Sequence, residues 1–464
     1  MITKTIQKIK NNFHKLKNNP TIISVLFITG LYMASRVLGF ARSIFLYQYD
    51  KINADLFLFG IDRISGTITA IFFMGALASS VLPVAGQILE TKGEKDFNRF
   101  ISIILVILVI FMVLVMGVGV IFTPQLLEYL NPKLWQSAIE NLLLDDYILI
   151  SRLSFLVSIN FGLQALFGVV LNLKNKFLIF SLAGVITNIS CILGILYHKN
   201  DIVAITVGLV LGCSLSTILY IGSAIYSGFE FPKNVWLGFG EYKTELLSIL
   251  KSFIPRMFII DGLTVSGLAL GFLFQTTGQA IAFDLATSIQ GAFFVVITAL
   301  GIVFFPDLNK VLNDKNLPKN LFWDKLVLYL RNVIWLGLFI SIICVVLSPV
   351  IMWLFELFGK GQNQGQYIIL LIQIGSFRLF FQGIKEILDK YLYTKQKKLA
   401  PMFLSLCSMV GQLVFLFVIS QILYKGIDAG VAVVLSLVFY YMVWCILALF
   451  LIRNEYKKEY GKLS

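Results

Sequence analysis

The chain has 464 residues, of which 58% are hydrophobic and only 14% are charged. A soluble domain usually carries about 25% charged residues, so this composition excludes a soluble globule, a disulfide scaffold and a disordered chain. The apolar runs are long and continuous, which predicts an all-α polytopic membrane protein and not a β-barrel. The net charge of +13 is then expected to come from basic cytoplasmic loops and not from a nucleic-acid-binding surface.

About twelve apolar runs follow a basic amino-terminal segment, and each is long enough to cross a ~30 Å hydrocarbon core. They lie at residues 21–47, 55–85, 100–123, 147–171, 177–197, 202–226, 248–274, 280–306, 327–355, 367–391, 400–423 and 428–452. Residues 1–19 are predicted to form a cytoplasmic basic tail and not a signal peptide, because no small-residue cleavage site ends a short apolar region.

The positive charges favour one side of this layout. If the amino terminus is inside, the cytoplasmic segments carry about 25 of the 38 lysines and arginines. The opposite loops carry only Lys51, Lys133, Lys199, Lys360 and Lys425, and their longest segment, 124–146, is acidic. Basic residues collect in cytoplasmic loops, so both termini are predicted to be cytoplasmic.

An internal repeat divides the chain into two halves. Pro83 and the basic loop at 174–176 recur as Pro306 and the loop at 395–397, an offset of about 222 residues. One shared offset predicts two six-helix lobes related by an axis along the membrane normal, an architecture found in transporters. We therefore expect a tail at 1–19, an amino-terminal lobe at 20–226, a cytoplasmic linker at 227–247, a carboxyl-terminal lobe at 248–452 and a cytoplasmic tail at 453–464.

Ionisable side chains inside the predicted spans are the candidate functional residues. Each costs about 2.5–3.5 kcal/mol at the centre of a membrane helix and therefore normally faces a cavity or a partner. Arg36, Arg42 and Arg63 lie on two neighbouring spans of the first half, and Arg378 lies deep in the second half. Guanidinium groups bind phosphate oxygens in a bidentate fork, so we expect a phosphate or pyrophosphate site toward the amino-terminal lobe. Asp62 is expected to gate or tune that site.

The cysteines and the GxxxG spacings indicate helix packing and not a catalytic or metal-binding role. The five cysteines lie in apolar runs without CxxC spacing, which predicts buried thiols. The GxxxG spacings at Gly208/Gly212 and Gly267/Gly271 favour helix packing. We find no phosphate-loop motif, nucleophile–base pair or metal constellation, so we expect neither enzyme activity nor a cofactor or metal. Transport would then be driven by the membrane potential, an ion or a lipid gradient.

Several motifs resemble those of the MurJ (MviN) family of lipid II flippases. The segment Ser35-Arg36-Val37-Leu38-Gly39-Phe40-Ala41-Arg42 resembles the family signature SRVLGFxR. The later motifs keep the family's order and lie at Ala54-Asp55, at Gly75-Ala76-Leu77 with Pro83, at residues 171–188 and at residues 393–401. The resemblance therefore extends from about residue 25 to about residue 450.

This resemblance implies a member of the MOP superfamily that works by alternating access of two six-helix lobes. It implies flipping of an undecaprenyl-pyrophosphate-linked peptidoglycan precursor, with the headgroup in the central cavity and the tail in lipid. Arg36 and Arg42 match two of the family's cavity arginines, and Asp55 and Asp284 match two of its acidic positions. The expected setting is the cell membrane, with the lipid-linked precursor, membrane lipids and cell-wall synthesis proteins as partners. We expect a monomer.

The sequence departs from the family pattern at several positions. Ala70 and Leu285 stand where the family has arginines, and Met74 stands where it has an acidic residue. Leu270 stands where some members have an acidic sodium ligand. Members often have fourteen spans, compared with about twelve here. Two alternatives stay open: another MOP exporter for a different lipid-linked glycan or a drug-like substrate, and a membrane scaffold that recruits cell-wall synthesis proteins without transport.

Overall fold

The computed structural model describes residues 20–48, 51–174, 178–197, 201–232, 239–273, 275–313, 319–358, 365–395, 399–423 and 428–460, together with residues 176 and 397. Every regular element in these residues is a helix. The all-α prediction is therefore confirmed. The predicted tail at 1–19 lies outside the described residues.

The described residues of the first half form eight helices. They are α1 (Pro20–Gln48), α2 (a run of helical segments from Lys51 to Lys92), α3 (Glu94–Ile121), α4 (Thr123–Leu130), α5 (Pro132–Glu140), α6 (Leu144–Leu173), α7 (Leu178–Tyr197) and α8 (Ile202–Tyr226). The acidic segment predicted as an outer loop contains the two short helices α4 and α5. Each begins with a proline in its first turn, where a missing N–H costs nothing.

In the second half, seven helices lie within the part of the chain that the structure describes. They are α9 (Lys243–Met257), α10 (Gly262–Leu273), α11 (Gln279–Asn313), α12 (Lys319–Phe358), α13 (Gly365–Thr394), α14 (Ala400–Phe417, continued as a π-helix over Val418–Leu423) and α15 (Ala429–Tyr460). The run predicted as one span at 248–274 is thus two helices, α9 and α10, that meet at a bend of 54°. Pro255 lies just before this bend. A proline removes one helical hydrogen bond and thereby favours a bend at this point.

Nine helices in the described residues are long and apolar enough to cross a membrane, and the bent α9–α10 pair makes ten if it counts as one span. The chain is therefore a multi-pass membrane protein. The predicted number of twelve spans stays a prediction.

The long helices pack in two groups that match the two predicted lobes. In the first group α6 packs on α8, which packs on α7, and α7 packs on α1. In the second group α13 lies between α11, α12 and α15. Polar bonds join neighbours inside the groups: Gln164 of α6 donates to Thr217 of α8 at 3.0 Å, and Gln412 of α14 donates to Ser266 of α10 at 2.8 Å.

The helix α9 contacts the first group although it follows the predicted linker. Leu246, Ile249 and Phe253 pack against the apolar core of α2 and α3. After the bend, α10 contacts α15, where the hydroxyl of Tyr440 donates to the carbonyl of Ile260 at 2.9 Å. The boundary predicted at residue 248 therefore falls inside a helix that packs on the amino-terminal lobe.

Candidate functional site

The two lobes touch at the end of the bundle where α1 ends and α2 and α11 begin, which we call the closed end. Asp55 of α2 is fully buried there. Its carboxylate accepts the backbone N–H of Gly278 and, at 3.2 Å, that of Ile281, in the first turn of α11. A carboxylate at a helix amino terminus satisfies free N–H groups and meets the positive end of the helix dipole. Gly278 has a φ of +92°, a conformation that favours glycine.

A cluster of charges lies beside this contact. The guanidinium of Arg42 forms an ion pair with Asp62 at 2.9 Å, which joins α1 to α2. Ser43, next to Arg42, donates to the carboxylate of Asp284 of α11 at 2.8 Å, which joins the two lobes. Arg63 lies over the ring of Phe283 of α11, with its Cζ atom 5.4 Å from the ring centre. Adjacent Asp62 and Arg63 thus have different partners, as expected for neighbours on a helix.

The lobes also approach closely along α10, at the second predicted GxxxG pair. A Cβ atom on Gly267 would lie 2.9 Å from the side chain of Arg63, and one on Gly271 would lie 1.9 Å from Oδ1 of Asn131. The first pair has another role, because Gly208 and Gly212 let α8 pack on the backbone of α7. Both pairs therefore serve helix packing, and the second serves packing between the lobes.

Two of the predicted site residues lie away from this cluster. Arg36 is exposed on α1, two turns before Ser43 and on the same face, which is the face turned toward α11. Arg378 is buried at 3% exposure inside the carboxyl-terminal lobe, where it donates to the carbonyl of Thr287 at 3.4 Å. The structure thus brings together Arg42, Asp62, Arg63 and Asp284 with Asp55 beside them, places Arg36 farther along the lobe interface, and separates Arg378. Their predicted role in substrate binding stays a prediction.

The lobes separate at the opposite end, which we call the open end. A cavity of about 1390 Å³ lies there between α2, α9, α14 and α15. Its described lining includes Lys251, Arg256 and Lys397 and contains no acidic residue. Arg256 donates to the hydroxyl of Ser80 on α2 at 3.3 Å. None of the predicted site residues is among these described lining residues, so the cavity is a second basic region that the sequence analysis did not predict.

The start of α9 is attached to the amino-terminal lobe beside this cavity. Lys92 pairs with Glu245 at 3.0 Å, and the hydroxyl of Tyr242 donates to Asp96 at 2.7 Å. Burial of its ring raises the pKa of Tyr242, and the bond to Asp96 raises it further, so the hydroxyl stays a donor at neutral pH. These contacts hold one wall of the cavity on the amino-terminal lobe.

The cysteine prediction needs one correction. Cys191, Cys213, Cys344 and Cys445 are buried as predicted, but Cys407 is exposed. It lies on α14 in the lining of the cavity, where an apolar sequence run faces open space between the lobes. Among the described residues, no three His, Cys, Asp or Glu side chains lie close enough together to hold a metal ion.

Comparison with known families decides how this architecture is classified. The profile of the family described as "Lipid II flippase MurJ" matches residues 50–458, which is most of the chain. The chain belongs to the MurJ lipid II flippase family. The resemblance found in the sequence motifs is thereby confirmed. The MurJ match includes α2 with Asp55, Asp62 and Arg63, and both walls of the open-end cavity.

A curated relative supports the same family. The "Probable lipid II flippase MurJ" of Buchnera aphidicola subsp. Acyrthosiphon pisum (strain APS) is 26% identical over 249 residues, which are 51% of this chain and 45% of that protein. The chain thus spans about half the length of the curated relative it matches.

Solved structures show the same MurJ-like fold. A structure titled "Lipid II flippase MurJ, inward closed conformation" matches with a TM-score of 0.72 at 18% identity, over 92% of this chain and 87% of the other. An inward-facing multidrug resistance MATE transporter of the MOP superfamily matches with a TM-score of 0.70 at 12% identity, over 94% and 96% of the two chains. The predicted MOP fold with two lobes is confirmed.

Proposed function

We propose that this chain moves a polyprenyl-pyrophosphate-linked saccharide, the peptidoglycan precursor lipid II, across the cell membrane by alternating access of its two lobes. The observation that carries the proposal is the asymmetry of the lobe interface. The lobes are joined at one end through Asp55, Asp284 and Arg63, and a cavity of about 1390 Å³ separates them at the other. A carrier in one of its two access states has this form.

The charge of the cavity supports an anionic headgroup as its ligand. Lys251, Arg256 and Lys397 line it, and its described lining contains no acidic residue; Lys397 is paired with Glu455 of α15, outside that lining. Arginine and lysine at the edge of a low-dielectric space attract phosphate oxygens strongly, and arginine binds them with two parallel hydrogen bonds. A pyrophosphate entering from the open end would meet these residues first.

Arg36 is the next cation along the lobe interface. It lies on the α1 face that carries Ser43 and is exposed between the open-end cavity and the closed-end cluster. Arg42 and Arg63 follow at the closed end, engaged with Asp62 and Phe283. When the closed end opens, these two arginines would exchange their present contacts for water or for the substrate pyrophosphate.

The direction of transport follows from the basic loops. Lys92, Arg99 and Lys174 lie at the open end, and the acidic α4–α5 segment lies at the closed end. The inside rule for basic residues then predicts that the open end and both termini lie in the cytoplasm. The structure would thus represent the state that receives lipid II from the cytoplasmic leaflet.

A drug-like cation is a poorer substrate for this cavity. The MATE likeness, at 12% identity, concerns the fold. A cationic ligand needs acidic partners in a low-dielectric site, and the described cavity lining supplies only basic ones.

Complementation of a strain depleted of its lipid II flippase tests the proposal. The unmodified chain should restore growth, and Arg36→Ala should abolish growth at a normal membrane level, because alanine cannot bind phosphate oxygens as a guanidinium does. Arg331→Ala is the matched control, since Arg331 is an exposed arginine near the open end of α12. Full growth with Arg36→Ala would contradict the role of Arg36, and no growth with the folded, unmodified chain would contradict the proposed function.

A further inference from the structure

A second cavity, of about 540 Å³, lies on the side of the amino-terminal lobe between α2, α3 and α9. We call it the α2–α3–α9 groove. Its wall is built from phenylalanine, leucine and isoleucine side chains, and Lys243 is the one charged residue in the described lining. The wall on α2 comes from the π-helical segment Thr69–Leu77, a wider turn that is frequent at functional sites.

The groove is about as long as one leaflet is thick. Lys243 begins α9 at the open end, and Phe253 lies ten residues deeper on the same helix. At 1.5 Å per residue this is about 15 Å, half of a ~30 Å hydrocarbon core. At the deep end the rings of Phe72 and Phe111 meet edge to face with their centres 5.3 Å apart. The groove is therefore long enough to hold one apolar chain along the thickness of a single leaflet.

The groove and the open-end cavity share one wall. Thr244, Ser248 and Lys251 of α9 line the cavity, and Leu246 and Leu250 line the groove. Leu247 lines both, and it is 45% exposed. A molecule with a charged head in the cavity could therefore place an apolar chain in the groove by passing over Leu247.

We infer that the α2–α3–α9 groove holds the first part of the polyprenyl tail while the pyrophosphate lies in the open-end cavity. This inference rests on the proposed function, and it identifies a tail site within the amino-terminal lobe. Three observations support this occupant over a bulk phospholipid. The groove joins the cavity at Leu247, the cavity is basic, and Lys243 adds a cation at the groove mouth. A chain linked to a pyrophosphate satisfies all three together.

Photo-crosslinking from the groove wall tests this inference. A benzoylphenylalanine replaces Phe111, a half-buried ring in the groove, in the full chain in phospholipid vesicles. The matched control carries the same group at Val113, two residues farther along α3 and 63% exposed on the opposite face. The probe is lipid II with a biotin on its peptide. We expect labelling from position 111 to exceed labelling from position 113 about tenfold, a difference that corresponds to ~1.4 kcal/mol.

Competition identifies the occupant. Excess unlabelled lipid II should remove the labelling at position 111, and additional phosphatidylglycerol should leave it unchanged. Equal labelling at the two positions, or removal by phosphatidylglycerol, would overturn the inference.

A groove-filling variant gives an independent measurement. Leu250→Trp places a large ring in the groove from a half-exposed position, and Leu211→Trp places one on an exposed, lipid-facing position of α8. Leu250→Trp should lower labelling from position 111 and slow lipid II flipping, and Leu211→Trp should do neither. Normal flipping without preferred labelling at position 111 would overturn the tail site alone. Absence of flipping by the unmodified chain would instead contradict the proposed function.

Discussion

Neutralising Asp55 should weaken the closed end of the lobe interface. The carboxylate is fully buried, and each of its oxygens accepts a different backbone N–H of the other lobe, from Gly278 and Ile281. In Asp55→Asn one oxygen remains, and the amide NH₂ faces the second N–H and cannot accept from it. The variant therefore loses at least one charge-assisted hydrogen bond that exists only while the lobes are joined.

The size of the effect follows from that bond. A hydrogen bond to a charged group contributes about 1.5–3 kcal/mol, so the equilibrium between joined and separated lobes should shift about 10- to 150-fold. Spin labels on cysteines at Leu142 and Gln275 would measure it by pulsed electron resonance. Both residues are exposed in closed-end loops of different lobes. We expect a second, longer distance to appear in Asp55→Asn.

A capping residue within one lobe supplies the control. Asp201 accepts the N–H groups of Val203 and Ala204 at 2.9 and 3.0 Å at the start of α8, so it has the same chemistry but crosses no lobe interface. Asp201→Asn should leave the distance distribution unchanged, because asparagine is also a good cap. An unchanged distribution in Asp55→Asn as well would refute the assignment of Asp55 as a lobe contact that controls access.

Two further predictions concern the same interface. Arg42→Gln or Asp62→Asn alone should lower the free energy of unfolding by about 1–3 kcal/mol, less than the ~3–5 kcal/mol of a fully buried pair, because both side chains keep some exposure. The double variant should regain stability but not lipid II flipping. Recovery of flipping would show that the Arg42 charge serves only the ion pair. Gly271→Ala should favour separated lobes in the spin-label measurement, because the new Cβ would lie 1.9 Å from Oδ1 of Asn131. Gly291→Ala is the control and should not change the distances, because the space around its Cβ is open. Equal spin-label distances in the two variants would contradict the close approach of the lobes at α10.

Long apolar runs were sufficient to predict the long helices, and the internal repeat was sufficient to predict the two lobes. Hydropathy averages over some 20 residues, so it missed local breaks in the helices. The bend between α9 and α10 interrupts an apolar run, and Pro255 is its only sequence signal. The two π-helical segments of α2 both contact α6, the second also contacts α9, and neither has a comparable signal in the sequence.

The candidate site could be predicted residue by residue but not as an arrangement. Charged residues in apolar spans are costly, which singled out Arg42 and Asp62, but their pairing depends on how α1 and α2 pack. The contact of Asp55 with α11 joins positions more than 200 residues apart. Arg256 lies at the end of an apolar run, where an arginine often reaches the membrane surface, so only the structure shows that it lines a cavity.

The most direct test of alternating access by this chain is the rate at which labelled lipid II becomes accessible to a membrane-impermeant reagent across proteoliposomes. The purified chain should accelerate this exchange over protein-free vesicles. A short crosslink between cysteines at Tyr129 and Phe272, whose rings meet across the lobe interface with centres 5.9 Å apart, should abolish the acceleration. No acceleration by the folded chain, or the same acceleration with the lobes crosslinked, would contradict the account.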